Sequence, residues 1–135
     1  MMISTKGRYA LRVMVDLAEQ NCDCFIPLKD IAQRQDISLK YLESIMTILS
    51  KANFVDAHHG IGGGYKLNRD AKEYTLGSIL KLTEKTLAPV ACLNGEFVCE
   101  RDIQCRTLPM WSELNDMIDQ FFESKTIADL AVISH

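Results

Sequence analysis

The chain has 135 residues, enough for one domain with a modest core. It carries 15 Lys and Arg against 18 Asp and Glu, a net charge of −3, so no general basic field covers it. No apolar run approaches membrane-spanning length, and Lys6, Arg8 and Arg12 mark a helix rather than a signal peptide; the expectation is a cytoplasmic protein with no membrane partner.

Charge is divided unevenly along the chain. Residues 1–72 hold ten Lys or Arg and eight Asp or Glu, a balance of +2, and residues 73–135 hold five and ten, a balance of −5. Any phosphate-facing surface therefore belongs to the first half, with affinity resting on a few placed cations and on pairing of subunits.

Ser4 to Gln20 fits a first helix, with Ala10, Leu11, Met14, Leu17 and Ala18 on a core face and Ser4 or Thr5 as cap. Lys6 and Arg8 fall in its first turn, where cations oppose the helix dipole; a phosphate partner would offset that cost, and two solvated surface cations are the plain alternative. Cys22 and Cys24 follow in a loop. With no His or Cys close in sequence, metal binding is not expected there, and five cysteines in a cytoplasmic chain argue against structural disulfides.

Leu28 to Lys51 holds two short helices. Leu28, Ile31 and Ala32 form one stripe, and Leu39, Leu42, Ile45, Met46 and Leu49 form the other. Gln35 to Ser38 between them is long enough only for a sharp turn, and Ser38 is an N-cap for the second helix. That pattern is a helix-turn-helix, whose second helix enters a major groove of double-stranded DNA and presents Leu39, Lys40, Tyr41, Glu43 and Ser44. Asn53 to Ala57 and Tyr65 to Leu67 read as two strands around a glycine-rich tip, the wing of a winged helix, with His58, His59, Gly60, Gly62, Gly63 and Tyr65 as contact candidates. A nucleotide-binding enzyme loop is excluded, because a strand and no Lys-Ser/Thr follows the glycines.

Thr75 caps a short helix containing Leu76, Ile79, Leu80 and Leu82. Ala91 to Leu108 is irregular and contains Cys92, Cys99 and Cys105, separated by six and five residues. Three thiols in a polar loop suit an iron–sulfur cluster, whose bulk needs ligands converging from several directions. Zinc is the rival metal, and buried or idle thiols are the plain alternative. Pro109 opens a long helix to Ser124, in which Trp111, Leu114, Ile118 and Phe121 form a seam that Met110, Met117 and Phe122 widen. So large a stripe favours a helix-to-helix homodimer over packing onto the chain's own domain. Thr126 to Asp129 resembles a capping box, opening a last short helix through Ile133.

These segments together resemble the Rrf-type family of bacterial winged-helix transcriptional regulators, which has IscR-, NsrR- and CymR-like branches. The carriers are STKGRYALRVMVDLA, IAQRQDISLKYLE, GIGGGYKL, the three-cysteine loop and TIADL, spanning almost the whole chain. The resemblance implies a mainly α fold with a small β-hairpin: a winged helix-turn-helix part at 1–72, and a linker helix, thiol loop and long dimerisation helix at 73–135, compact as one domain. It implies a promoter- or operator-binding homodimer, a repressor and not an enzyme. In members with the thiol triplet, an iron–sulfur cluster changes operator affinity; Cys92, Cys99 and Cys105 match those thiols, residues 39–44 the recognition helix and 59–65 the wing. The alternative is a cluster-free regulator answering to thiol oxidation or a partner protein, as in the cysteine-metabolism branch. Two departures stand out. Leu108 occupies the place of an IscR-like histidine ligand and Arg8 that of an NsrR-like acidic one, leaving Glu96, Glu100, Asp102, a partner residue or an exogenous molecule as fourth ligand. His58 and His59 also stand where the family would place a cation such as Arg.

Overall fold

A computed structural model describes residues 2–93 and 105–132. Helix α1 (Thr5–Glu19) starts at Ser4, whose hydroxyl accepts the Gly7 N–H at 3.0 Å, so one of the helix's open donors is satisfied. Helices α2 (Leu28–Gln35) and α3 (Leu39–Lys51) follow, then strands β1 (Val55–His58) and β2 (Gly64–Leu67). Helix α4 (Leu76–Thr83) is capped by Thr75, α5 spans Leu108–Ser124, and α6 spans Ile127–Leu130.

The apolar periodicity of the helices becomes one core. Val13 and Met14 of α1, Ile31 of α2, the Leu42, Ile45, Met46 and Leu49 stripe of α3, Ile79 of α4 and Ile127 of α6 are fully buried together. Tyr74 closes it from below the hairpin. Its hydroxyl donates to the Phe54 carbonyl at 2.8 Å and accepts from the Asn68 N–H at 3.1 Å. Burial pushes the Tyr74 phenol above its ordinary range, the net of desolvation and the opposing Asn68 hydrogen bond.

The chain then doubles back. Leu76 N–H donates to the Lys125 carbonyl at 2.9 Å and Ile127 N–H to the Tyr74 carbonyl at 3.0 Å, so α6 is tied beside the start of α4 with Ile127 beneath it. The expected capping box forms, with Thr126 N–H donating to the Asp129 carboxylate at 2.8 Å. Helix α6 ends at Leu130, short of the expected run to Ile133. Ala131 turns extended and the Val132 N–H goes to the Glu19 carboxylate at 2.8 Å rather than to a helical carbonyl; Ile133 lies outside the described residues.

Helix α5 is the exception to burial: none of its 17 residues is buried. Lys81 on α4 holds it through Asp119 at 3.2 Å and Glu123 at 3.0 Å, and those hydrogen bonds push Lys81 upward from its ordinary value. Trp111, Leu114, Ile118 and Phe122 are half-covered, whereas Met110, Met117 and Phe121 face outward. Another expectation is corrected at the α1–α2 loop, where Cys22 and Cys24 are joined as a disulfide. Both residues are exposed, in the bend that joins the two helices.

Candidate nucleic-acid interface

The turn between α2 and α3 is built from backbone conformation and one anchor. Asp36 takes a left-handed conformation (φ 53°), which lets the Ile37 N–H reach the Ala32 carbonyl at 3.1 Å and drops Ile37 into the core. Ser38 then restarts the helix, its hydroxyl accepting the Tyr41 N–H at 3.2 Å. Arg34 and Gln35 at the end of α2 both donate to Asp16, a carboxylate buried on α1. The hydrogen bond to Asp16 raises the Arg34 guanidinium beyond its already high ordinary value. Arg12 donates to the Gln35 carbonyl and to its side chain. The end of α2, where the chain turns into α3, is thus held against α1 by Arg12 and Arg34.

The outward face of α3 carries Leu39, Lys40, Glu43, Ser44 and Thr47, all exposed. Ser44 Oγ donates to the Tyr41 carbonyl at 2.6 Å and Thr47 Oγ1 to the Glu43 carbonyl at 2.9 Å, so their lone pairs point outward as acceptors. Tyr41, expected on the same face, is half-buried. Its ring meets Tyr9 edge to face at 5.6 Å between centroids, and the Arg12 guanidinium lies over Tyr9 at 5.0 Å. Sequence reading missed Arg12, since an exposed Arg on a helix has no local signal of the turn it reaches.

The hairpin pairs Val55 with Leu67 through His58 with Gly64. A segment from elsewhere completes it: Ile26 N–H donates to the Tyr65 carbonyl at 2.8 Å and Tyr65 N–H to the Ile26 carbonyl at 2.9 Å. A side chain at Gly64 would run into that Ile26 carbonyl, so glycine is required there for close backbone approach. Tyr65 packs against the core edge, while His58, His59, Gly60 and Gly62 are exposed and Gly63 is half-covered. His58 lies against Phe25 at 5.3 Å, and Lys66 covers the Phe25 ring from 4.9 Å while pairing with Asp23 at 2.9 Å. The pair shifts both groups toward charge, Asp23 down and Lys66 up, the shared hydrogen bond being the main cause. On α1, Lys6 is half-buried and Arg8 exposed, with Arg8 Nη2 donating to Thr5 Oγ1 at 3.0 Å.

The thiol loop is only partly in view. Cys92 is half-buried in a short 3₁₀ turn at Ala91–Leu93. Cys105 lies 3.3 Å from Thr107 Oγ1, just ahead of α5. Cys99, Glu96, Glu100 and Asp102 lie outside the described residues. Among the described residues no three His, Cys, Asp or Glu side chains converge as a metal site. The donor chemistry, thiols at both ends of segment 94–104, is of the kind that holds iron.

Comparison with known proteins adds to this geometry. The model of a family described as Rrf2, iron-dependent transcriptional regulator, matches residues 3–132. The HTH-type transcriptional regulator IscR of Photobacterium profundum is 35% identical over 130 residues, covering 96% of this chain and 75% of that protein. The structure of CymR, the global cysteine regulator of B. subtilis, superposes with a TM-score of 0.79 at 34% identity, covering 97% of this chain and 96% of that one. The structure of T. potens IscR does so with a TM-score of 0.75 at 31% identity, covering 96% and 85%.

Proposed function

The chain belongs to the Rrf2 family of transcriptional regulators, and from that premise we propose that it acts as a homodimer reading an operator in double-stranded DNA as a repressor. Members of this family regulate transcription and are not enzymes. The observation that carries the reading is the outward face of α3, where Leu39, Lys40, Glu43 and Ser44 stand exposed with the hairpin held beside them. In the proposed complex Glu43 and Ser44 meet base edges in the major groove, Leu39 meets thymine methyls, and Lys6, Arg8 and Lys40 hold phosphates. The uncovered apolar residues of α5 support the homodimer, which also supplies the two-fold symmetry of a palindromic site.

We further propose that Cys92, Cys99 and Cys105 hold an iron–sulfur cluster and that its state sets operator affinity. The family's iron-dependent description and the thiols flanking segment 94–104 support this. Such a cluster would supply iron that oxygen or nitric oxide can reach. The chain's own part is to tie the segment between α4 and α5 so that dimer geometry follows its closure; such coupling is typically ~1–3 kcal/mol. The second reading, thiol oxidation or a partner protein without a cluster, is supported by the likeness to a cysteine regulator.

The test has two arms. A duplex selected by the wild-type protein from a randomised library is titrated at several salt concentrations. Glu43→Ala should change sequence preference, and Lys40→Ala should weaken all sequences alike and lower the salt slope by ~1. Selection of no sequence at low salt would overturn the DNA reading. Anaerobic purification with iron, sulfide and spectral analysis forms the other arm; colourless, iron-free protein that still binds the selected duplex overturns the cluster and leaves the second reading.

A further inference from the structure

Ile61 is the most exposed large apolar side chain among the described residues, at 103% of the reference exposure. It sits at the corner of the wing. The Gly63 N–H donates back to the Gly60 carbonyl at 3.0 Å, closing a four-residue turn with Ile61 at its second position and Gly62 (φ 75°) at its third. Positive φ at the third position is the signature of a turn that needs glycine there, and Gly60 (φ 99°) precedes it. A β-branched residue is thereby held out at the tip, fully exposed to solvent.

The hairpin behind it is anchored. Tyr65 is bridged to Ile26, and Gly64 lies under the Ile26 carbonyl, so the tip projects from a fixed three-segment base. Charge is the second observation. From Val55 to Tyr65 there is no Lys or Arg and one Asp, and Lys66, the first cation after the tip, is paired with Asp23. A wing of this composition has little electrostatic hold on phosphates. What it offers is a narrow glycine backbone and one protruding hydrocarbon. With α3 occupying the major groove, the neighbouring groove is the minor one, only ~6 Å wide, and a tip flanked by glycines is slim enough to enter it.

We propose that Ile61 is a specificity-determining residue of the operator complex: an apolar wedge that the wing lays into the minor groove against a deformable base step. The inference rests on the DNA-binding reading above. Apolar side chains inserted at a minor groove partly unstack a step, so the cost depends on the sequence being deformed. The wing then contributes sequence selection through DNA shape, and that contribution is indifferent to salt.

The test uses the full chain and the duplex it selects from a randomised library. Ile61→Gly keeps a residue compatible with the turn, and its thermal unfolding midpoint shows that the fold is intact. The variant should bind the selected duplex about tenfold more weakly, the size of one lost base-pair recognition, with the slope of affinity against salt unchanged. Replacing adenine by 2,6-diaminopurine adds an amino group in the minor groove alone. This should weaken the wild type at the base pairs flanking the α3 half-site and leave Ile61→Gly unmoved. Equal affinity of the two proteins with equal diaminopurine sensitivity overturns the wedge while the DNA reading stands. A changed salt slope, or a changed solution mass for Ile61→Gly, also overturns it by assigning the residue to phosphate positioning or to contact with protein. A wild type that selects no sequence overturns the DNA reading itself.

Discussion

Arg34 and Asp16, 18 residues apart, lock α2 to α1 through a two-pronged ion pair. Arg34 Nε donates to Asp16 Oδ2 at 3.0 Å and Nη2 to Oδ1 at 2.8 Å, and Gln35 Nε2 adds a third hydrogen bond at 2.8 Å. Asp16 as a residue is 2% exposed, so the charge of its carboxylate depends on these partners in place of water. The fork fixes the end of α2 where the chain turns into α3.

Asp16→Ala should therefore act on both stability and recognition. Charged hydrogen bonds of this kind are each worth ~1.5–3 kcal/mol, partly offset here because Arg34 can return to solvent. We expect a loss of about 2 kcal/mol in urea unfolding, together with weaker binding to the selected duplex. A loss under about 0.5 kcal/mol, within the range of ordinary surface changes, would show that the fork does not hold α2.

Gly64→Ala tests the seat of the hairpin. Its methyl would meet the Ile26 carbonyl and the Pro27 nitrogen, both backbone, so the bridge to Tyr65 has to open. Forced overpacking costs about 1–3 kcal/mol. The expected outcome is that loss with faster amide exchange at Tyr65; a variant as stable as wild type would mean that Ile26 moves freely.

Ser4 and Glu84 give a pH dependence. The Ser4 N–H and hydroxyl both donate to the Glu84 carboxylate, the hydroxyl at 2.6 Å, joining the start of α1 to the end of α4. Burial alone would raise Glu84, but these hydrogen bonds together with one from Thr83 outweigh it and hold the group below its ordinary value of 4.5. The folded protein thus binds this proton less tightly than the unfolded chain. The resulting stability is complete above 4.5 and is lost as the pH falls through the depressed folded value. Glu84→Gln should flatten that part of the stability profile between neutral and acid pH. Ser4→Ala should also remove the cap of α1, at about 1 kcal/mol. Parallel acid profiles for Glu84→Gln and wild type would disprove the linkage.

Phe121→Asp tests the proposed dimer. Phe121 is 55% exposed on a helix without a buried residue, so in a lone subunit the change is mild, whereas in a helix pair it buries a charge. Light scattering should show the variant at 15.2 kDa and the wild type at twice that mass, 2 × 15.2 kDa. A wild type already at 15.2 kDa would sink the pairing.

Much of this protein is written within short reach along its sequence. Ser4, Ser38 and Thr75 announce helix starts because a cap and its donor lie three residues apart. The stripe of Leu42, Ile45, Met46 and Leu49 announces a buried face because one turn repeats every 3.6 residues. The glycines from Gly60 to Gly64 announce the hairpin because only they take its backbone freely. The Rrf-type resemblance and the transcriptional role were legible in those same segments.

Tertiary structure decided what depends on partners far along the chain. Nothing near Ile26 says that it joins Tyr65, and nothing near Asp16 says that it is buried against Arg34. Tyr41 looked like an outward residue until Tyr9 covered its ring, and the end of α6 at Leu130 waited on Glu19. Caps and stripes follow from local backbone geometry, which a few neighbouring residues fix. Which side chain covers which follows from how whole helices pack, and that is settled only when the core closes.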